Sequence, residues 1–166
     1  QKLGQTLSWQ MIALVRTSLA LVIASGMTYF GGARFVLFSP ATLWIRSIAG
    51  SCSLLLTFYA LTHTRSLSEV LVLSNMFPVW VALLSWPVLG VLPRWDTWVA
   101  IASAMAGVIL VQRPSLEGVD WALVAAAAGS FTTSIAMLGL HRLQHLDPRS
   151  IVVHFSAVSV LFCLAA

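Results

Sequence analysis

The sequence predicts an all-α polytopic transmembrane helix bundle. Three observations carry that prediction: an apolar composition, six long apolar runs, and charges gathered mostly in the short connections between them. Hydrophobic residues make up 59% of the chain and charged residues 8%, with a mean hydropathy of +0.93. That leaves too few polar side chains to cover a water-soluble core of this length. Nine Lys and Arg stand against five Asp and Glu, which lifts the pI to about 9.8. The basic residues are scattered singly and form no patch, so they give no support to a nucleic-acid surface and read instead as topology signals and buried polar groups. Cys52 and Cys163 both fall inside apolar runs without metal-ligand spacing. They are expected to be small buried hydrophobes, with neither a disulfide nor a metal centre.

A helix crosses the hydrocarbon core in about 20 mostly apolar residues, and the candidate runs lie at 11–30, 43–61, 67–90, 97–112, 119–140 and 150–166. Helices are expected because backbone in lipid must satisfy its own hydrogen bonds, and no alternating barrel pattern occurs. The first run is too long for a signal-peptide core and no cleavage site with a soluble domain follows it, so it reads as a permanent span. Trp9, Trp44, Trp95, Trp98 and Trp121 stand near the starts of spans, where an indole suits the headgroup level. Small residues recur four apart at Ser103 and Gly107, at Ala122, Ala126 and Ser130, and at Ala125 and Gly129. Such spacing lets helices approach closely, and the last spans are expected to pack tightly. Because the chain begins at Gln1 and stops at Ala166 inside an apolar run, it is expected to be a piece of a longer protein.

Orientation follows from the connections. Arg34, Arg94, Arg142 and Arg149 fall on one side together with Arg46, while Lys2, Arg65 and Arg113 fall on the other beside Glu117 and Asp120. The positive-inside rule then places the 31–42, 91–96 and 141–149 connections in the cytoplasm. One weak internal match lays the stretch around Ile12, Arg16 and Ala20 on that around Ile151, His154 and Ala157. The spans that carry them are an odd number apart, so they cross the membrane in opposite directions, as in an inverted repeat.

A family resemblance rests on residues in order: Arg16 early in a span, Phe58-Tyr59-Ala60-Leu61 closing the next, and Phe77-Pro78-Val79 within the third. It continues through Leu89-Gly90, Ala106-Gly107-Val108-Ile109-Leu110 and Leu146-Asp147-Pro148. The chain thereby resembles the EamA-type family of the drug/metabolite transporter superfamily. The resemblance implies six spans of an expected ten-helix inverted-repeat transporter. Residues 1–115 would be the first repeat lacking its first helix, and 116–166 the truncated start of the second. The family usually carries an acidic residue after the Leu-Gly pair. Here Val91 follows Gly90, and the nearest carboxylate is Asp96.

Function is argued from polar groups at membrane depth, because an ionisable residue there is costly and faces protein or a water-filled cavity. Arg16, about a third of the way along its span, is a candidate for an anionic substrate group; its alternative is to snorkel to the interface. Arg46, a few residues into the second span, reads chiefly as a snorkelling topology anchor. Glu69 opens the third span, where a negative charge suits a helix N-terminus, and His154 is of the residue type that can serve as a proton relay. Both are coupling candidates, with helix capping and a structural hydrogen bond as the respective alternatives. Pro78 removes the donor that the Ser74 carbonyl would otherwise receive. With Ser74 and Asn75 beside it, and Pro87 further on, the third span is expected to be interrupted in the way that substrate sites of secondary transporters are built. Tyr59 and Trp80 are aromatic walls of the same expected site, or face lipid.

The expected substrate-binding set is therefore Arg16, Tyr59, Ser74, Asn75, Pro78 and Trp80. The expected function is secondary transport of a small polar metabolite or drug-like solute by alternating access, in the plasma (inner) membrane. The partners are that solute and the lipid bilayer, with no nucleic acid, no cofactor and no metal, and with a homodimer left open. The competing class is a membrane-embedded scaffold subunit, whose interior would hold no polar cavity. Gly129-Ser130 and His154 lack a second glycine and an acidic partner, so a hydrolase has little support. No phosphate-binding loop for ATP is present. A piece lacking part of the second repeat has a cavity open on one side, so this chain alone is expected not to transport. Solute flux into liposomes that contain only this chain would contradict that expectation.

Overall fold

A computed structural model describes residues 9–31, 41–113, 121–144 and 146–165. Every regular element among them is a helix: α1 (Trp9–Phe30), α2 (Ala41–His63), α3 (Leu67–Ser74), α4 (Phe77–Leu89), α5 (Trp95–Gln112), α6 (Trp121–Arg142) and α7 (Pro148–Ala165). Met11–Phe30, Ala41–His63, Leu67–Leu89 and Trp121–Arg142 are long and apolar enough to cross a membrane, and Trp95–Val111 and Pro148–Leu164 are shorter apolar helices. All six apolar runs are thus helical. The third divides into α3 and α4 at a turn over Asn75 and Met76, because Pro78 cannot carry the backbone ladder across them.

Helix ends follow local chemistry. Gly90 takes φ 71° and returns its amide to the Trp86 carbonyl, closing α4 in the left-handed conformation that glycine adopts without strain. Asp147 accepts the Arg149 amide at 2.9 Å just ahead of Pro148, the first residue of α7. This is a capping carboxylate followed by a proline whose missing amide costs nothing there. Leu146 and Ile151 share one apolar cluster with Leu43 and Leu143 and so staple that helix start.

The bundle is organised around α6. It packs most extensively on α2 and also carries α3 and α4, while α7 packs on α1 and α2, and α5 rests on α3 and α4. The buried face of α6 is small: Ala122, Ala125, Ala126, Gly129, Ser130, Ser134, Leu138 and Gly139. Lipid offers no hydrophobic drive for helices to associate, so close backbone approach and hydrogen bonding must hold them together. A Cβ on Gly129 would meet Thr57 and Leu56, and one on Gly139 would lie 3.0 Å from the Arg46 Cβ. These contacts also show that α2 and α6 run antiparallel. α1 and α7 are antiparallel too: Gly31 lies against Arg149, and Thr17 meets Cys163.

The small pair on α5 behaves differently from the sequence expectation. Ser103 is exposed and bonds back to the Val99 carbonyl, and nothing lies within 4 Å of a Cβ on Gly107. Small spacing alone does not specify which helix comes close. Trp44 likewise does more than mark an interface, since its ring meets the edge of His154 at 4.7 Å. These contrasts give a stability prediction. Gly139→Leu should destabilise the bundle by about 1–3 kcal/mol through overpacking against α2. Gly107→Ala should be neutral or add up to about 1 kcal/mol of helix propensity. Unfolding midpoints of the two variants in detergent would check both.

Candidate functional site

A cavity of about 390 Å³ lies between α1, α2, α6 and α7 and is lined along its length by residues of α2. At one end the Arg46 guanidinium stands over the Phe155 ring, 4.8 Å from its centroid. At the other, Arg16 stands over Phe58 at 5.8 Å. The rise along α2 from Arg46 to Phe58 is roughly 18 Å, so the arginines mark two ends of the cavity and do not form a single clamp. Between them Ser53, Thr57 and Thr133 supply hydroxyl groups. Ser53 donates to the Gly129 carbonyl at 2.9 Å and lies within hydrogen-bonding distance of Thr133.

Arg46 is the unusual group. Its Nε and Nη1 are buried with no hydrogen-bond partner among the described residues. A buried charge without a partner costs several kcal/mol after relaxation, whereas stacking on an aromatic face returns about 0.5–2 kcal/mol. The arginine is therefore held against a net cost. Its path is cleared by two glycines. The side chain runs across bare backbone at Gly139, and Phe155 lies over Gly50, where a Cβ would come within 2.8 Å of the ring.

A hydroxyl seam behind the cavity ties α2 to α7. Ser47 Oγ and His154 Nδ1 share a hydrogen bond of 2.8 Å, and Ser51 and Ser159 share another of 2.8 Å. All four side chains are buried. Ser47 and Ser51 are one helical turn apart on α2 and so present one face.

The residues singled out from sequence take separate places. Arg16 lines the cavity. Tyr59 packs on the cluster of Ala60, Val70, Ala125 and Ala126 and stacks on His63 at 4.2 Å. Ser74 Oγ is buried at the end of α3 with no hydrogen-bond partner among the described residues. Asn75 is exposed and its side-chain amide donates to the Leu71 carbonyl at 2.7 Å. Pro78 lies in the first turn of α4 and borders apolar clefts against α5. Trp80 Nε1 donates to Ser130 Oγ at 3.2 Å, and its ring meets Phe131 edge-on. Glu69 is buried in the first turn of α3, and His154 is buried in the seam. The structure thus sets Arg16 and Arg46 at opposite ends of one cavity, and places Tyr59, Ser74, Asn75, Pro78 and Trp80 outside its lining. Asp96 is exposed beside Arg94, at 3.4 Å, where such a pair contributes little. Lys2, Arg34, Glu117 and Asp120 lie outside the described residues.

Sequence reasoning did not assign Phe155, Ser53, Thr57 or Thr133 to a site, and it gave Arg46 an outward role. The available signal was the spacing of Arg46, Gly50, Ser53 and Thr57, three or four apart along one stripe of α2.

Membrane-spanning helices around a largely apolar cavity, with arginines at both ends and hydroxyl groups between, define the class: a multi-pass integral membrane protein. Residues 1–113 match the EamA-like transporter family, and the chain belongs to that family, which makes it a membrane transporter of the drug/metabolite superfamily. No curated protein and no solved structure matches the chain.

The seam yields a separate prediction. Removing either partner of the Ser47 and His154 bond should cost about 1–3 kcal/mol, because a buried hydrogen bond between α2 and α7 is lost. A double-mutant cycle of Ser47→Ala and His154→Ala, read by unfolding in detergent, should give a coupling of about 1 kcal/mol.

Proposed function

We propose that this chain contributes to a secondary transporter that moves a small polar metabolite by alternating access, with the cavity along α2 as the solute path. The observation that carries this reading is the lining of that cavity: Arg16 and Arg46 at its ends and Ser53, Thr57 and Thr133 between them. A scaffold subunit would gain stability by filling this space with apolar side chains, and a buried unpartnered cation would serve it no purpose.

The antiparallel packing of α1 on α7 supports a second element of the proposal. In an inverted repeat these helices are counterparts, 116–166 starts the second repeat, and movement of one half against the other exposes the cavity to each side in turn. Within this reading the break at Asn75 and Met76, with Ser74, Pro78 and Trp80 around it, is a point of flexure beside the path. Tyr59 packs the same region. Glu69 and His154 are the buried carboxyl and imidazole from which an ion-coupling group would be drawn. The membrane is proposed to be the plasma (inner) membrane.

Cysteine-accessibility labelling in the full-length protein tests the path. Single cysteines at Thr57, Thr133 and Arg16 should react with a membrane-impermeant thiol reagent, while cysteines at Tyr59 and Ser74 should react far more slowly. Alternating access further requires that trapping the protein in opposite-facing states reverse the side from which Thr57→Cys is reached. If none of the cavity positions reacts while cysteines in exposed connections do, the interior is dry and the scaffold reading takes its place.

A further inference from the structure

We infer that the solute is an anion, and that Arg46 is the residue that holds its carboxylate or phosphate group. This assignment rests on the cavity being the solute path, and it names the chemistry of what passes through it.

Charge is the first argument. Two arginines line the cavity and, among the described residues, no acidic side chain does. The acidic residues among those described lie elsewhere: Glu69 in α3, Asp96 at the start of α5, and Asp147 before α7. The space is therefore net positive in a low-dielectric surround, which concentrates anions and repels cations. A neutral polar solute would leave that charge uncompensated, and a cationic one would add to it.

Geometry is the second. Arg46 Nε and Nη1 are buried and without a hydrogen-bond partner among the described residues. Nη1 stands cis to Cδ, so the two N–H groups point to different sides of the planar guanidinium group, and each is a charge-assisted donor open to an oxygen of a carboxylate or phosphate. Phe155 covers one face of the group and fixes its plane, while the bare backbone at Gly139 and Gly50 makes room for both side chains. Thr57 then offers a hydroxyl donor to the rest of the solute, while Ser53 and Thr133, which donate to the Gly129 carbonyl, present acceptor oxygens there. Lipid phosphate presents the same oxygens as a soluble anion, so the test must separate the two sources.

The experiment compares two small methanethiosulfonate reagents of similar size, one carrying a sulfonate and one a trimethylammonium group. The target is Thr57→Cys in full-length protein whose Cys52 and Cys163 are replaced by Ala, with Val91→Cys in the exposed connection as control. The sulfonate-to-ammonium rate ratio at position 57 should exceed that at position 91 by about tenfold. Arg46→Gln should bring the ratio close to the control without slowing the ammonium reagent, and Arg46→Lys should keep most of it. Should Arg46→Gln fail to fold, competition serves instead. Millimolar acetate or inorganic phosphate should slow the sulfonate reaction in protein that retains Arg46, and choline chloride at equal ionic strength should not.

Reaction of both reagents at the control ratio would leave the aqueous path standing and overturn the anion assignment. Failure of both reagents to reach position 57 would remove the path itself, and the assignment with it. The assay is run in phosphatidylcholine vesicles with and without phosphatidylglycerol. A preference unchanged by the anionic lipid supports a soluble anion as ligand. A preference abolished by it identifies a lipid headgroup as the occupant and overturns the role in solute binding.

Discussion

The close approach of α2 and α6 is the constraint on which the rest of the bundle depends. Apolar side chains gain little by leaving lipid for one another, so helices associate through short contacts and hydrogen bonds. The inner face of α6 is almost free of bulk from Ala122 to Gly139. Ser53 crosses to the Gly129 carbonyl, and Trp80 reaches Ser130 on the same helix. One small-faced helix thereby fixes α2 on one side and α4 on another. Arg142 at its end also donates to the Val88 carbonyl near the end of α4, satisfying a backbone group that the helix terminus leaves open.

The same absence of side chains builds the site. Gly139 lets α2 come close and also leaves the corridor that the Arg46 stem occupies, and Gly50 does the same for Phe155. Packing and function are therefore written in the same residues. A larger side chain at either glycine would displace the arginine as well as the helix. His154 belongs to this arrangement through its neighbour: its bond to Ser47 and its contact with Trp44 set the rotation of α7. That rotation aims Phe155 at the cavity.

Much of the fold was legible because its signals are local. Apolar runs of spanning length, capping residues such as Asp147, and Gly90 at a helix end depend only on neighbours in sequence. Pro78 announced the break in the third span for the same reason. The site was less legible, because it depends on which faces meet. Ser74, Asn75 and Pro78 form a polar cluster in sequence, yet Asn75 turns back to its own helix and Pro78 faces α5. Arg46 read as an outward anchor because arginines near span ends usually snorkel. What turned it inward was Gly139, distant in sequence and readable only once α2 and α6 were paired. Ser103 and Gly107 show the converse, a packing motif with no helix against it among the described residues.

The two ends of the cavity differ in how strongly they act on charge. Arg16 is exposed at the surface of the described residues, while the donors of Arg46 are buried where the effective dielectric is lower and each interaction is stronger. An anion would meet a weak station at one end and a strong one at the other, with hydroxyls in between. Strong binding at a fixed site opposes release, and a transporter must let its cargo go. Alternating access resolves this conflict when the change of state alters the burial of the strong station. The guanidinium group hangs between α2, α6 and α7, and a small rotation of α7 would move Phe155 off it and admit water. Under the proposed alternating access, the geometry that makes Arg46 costly in this state is also one through which a modest helix movement would tune its grip.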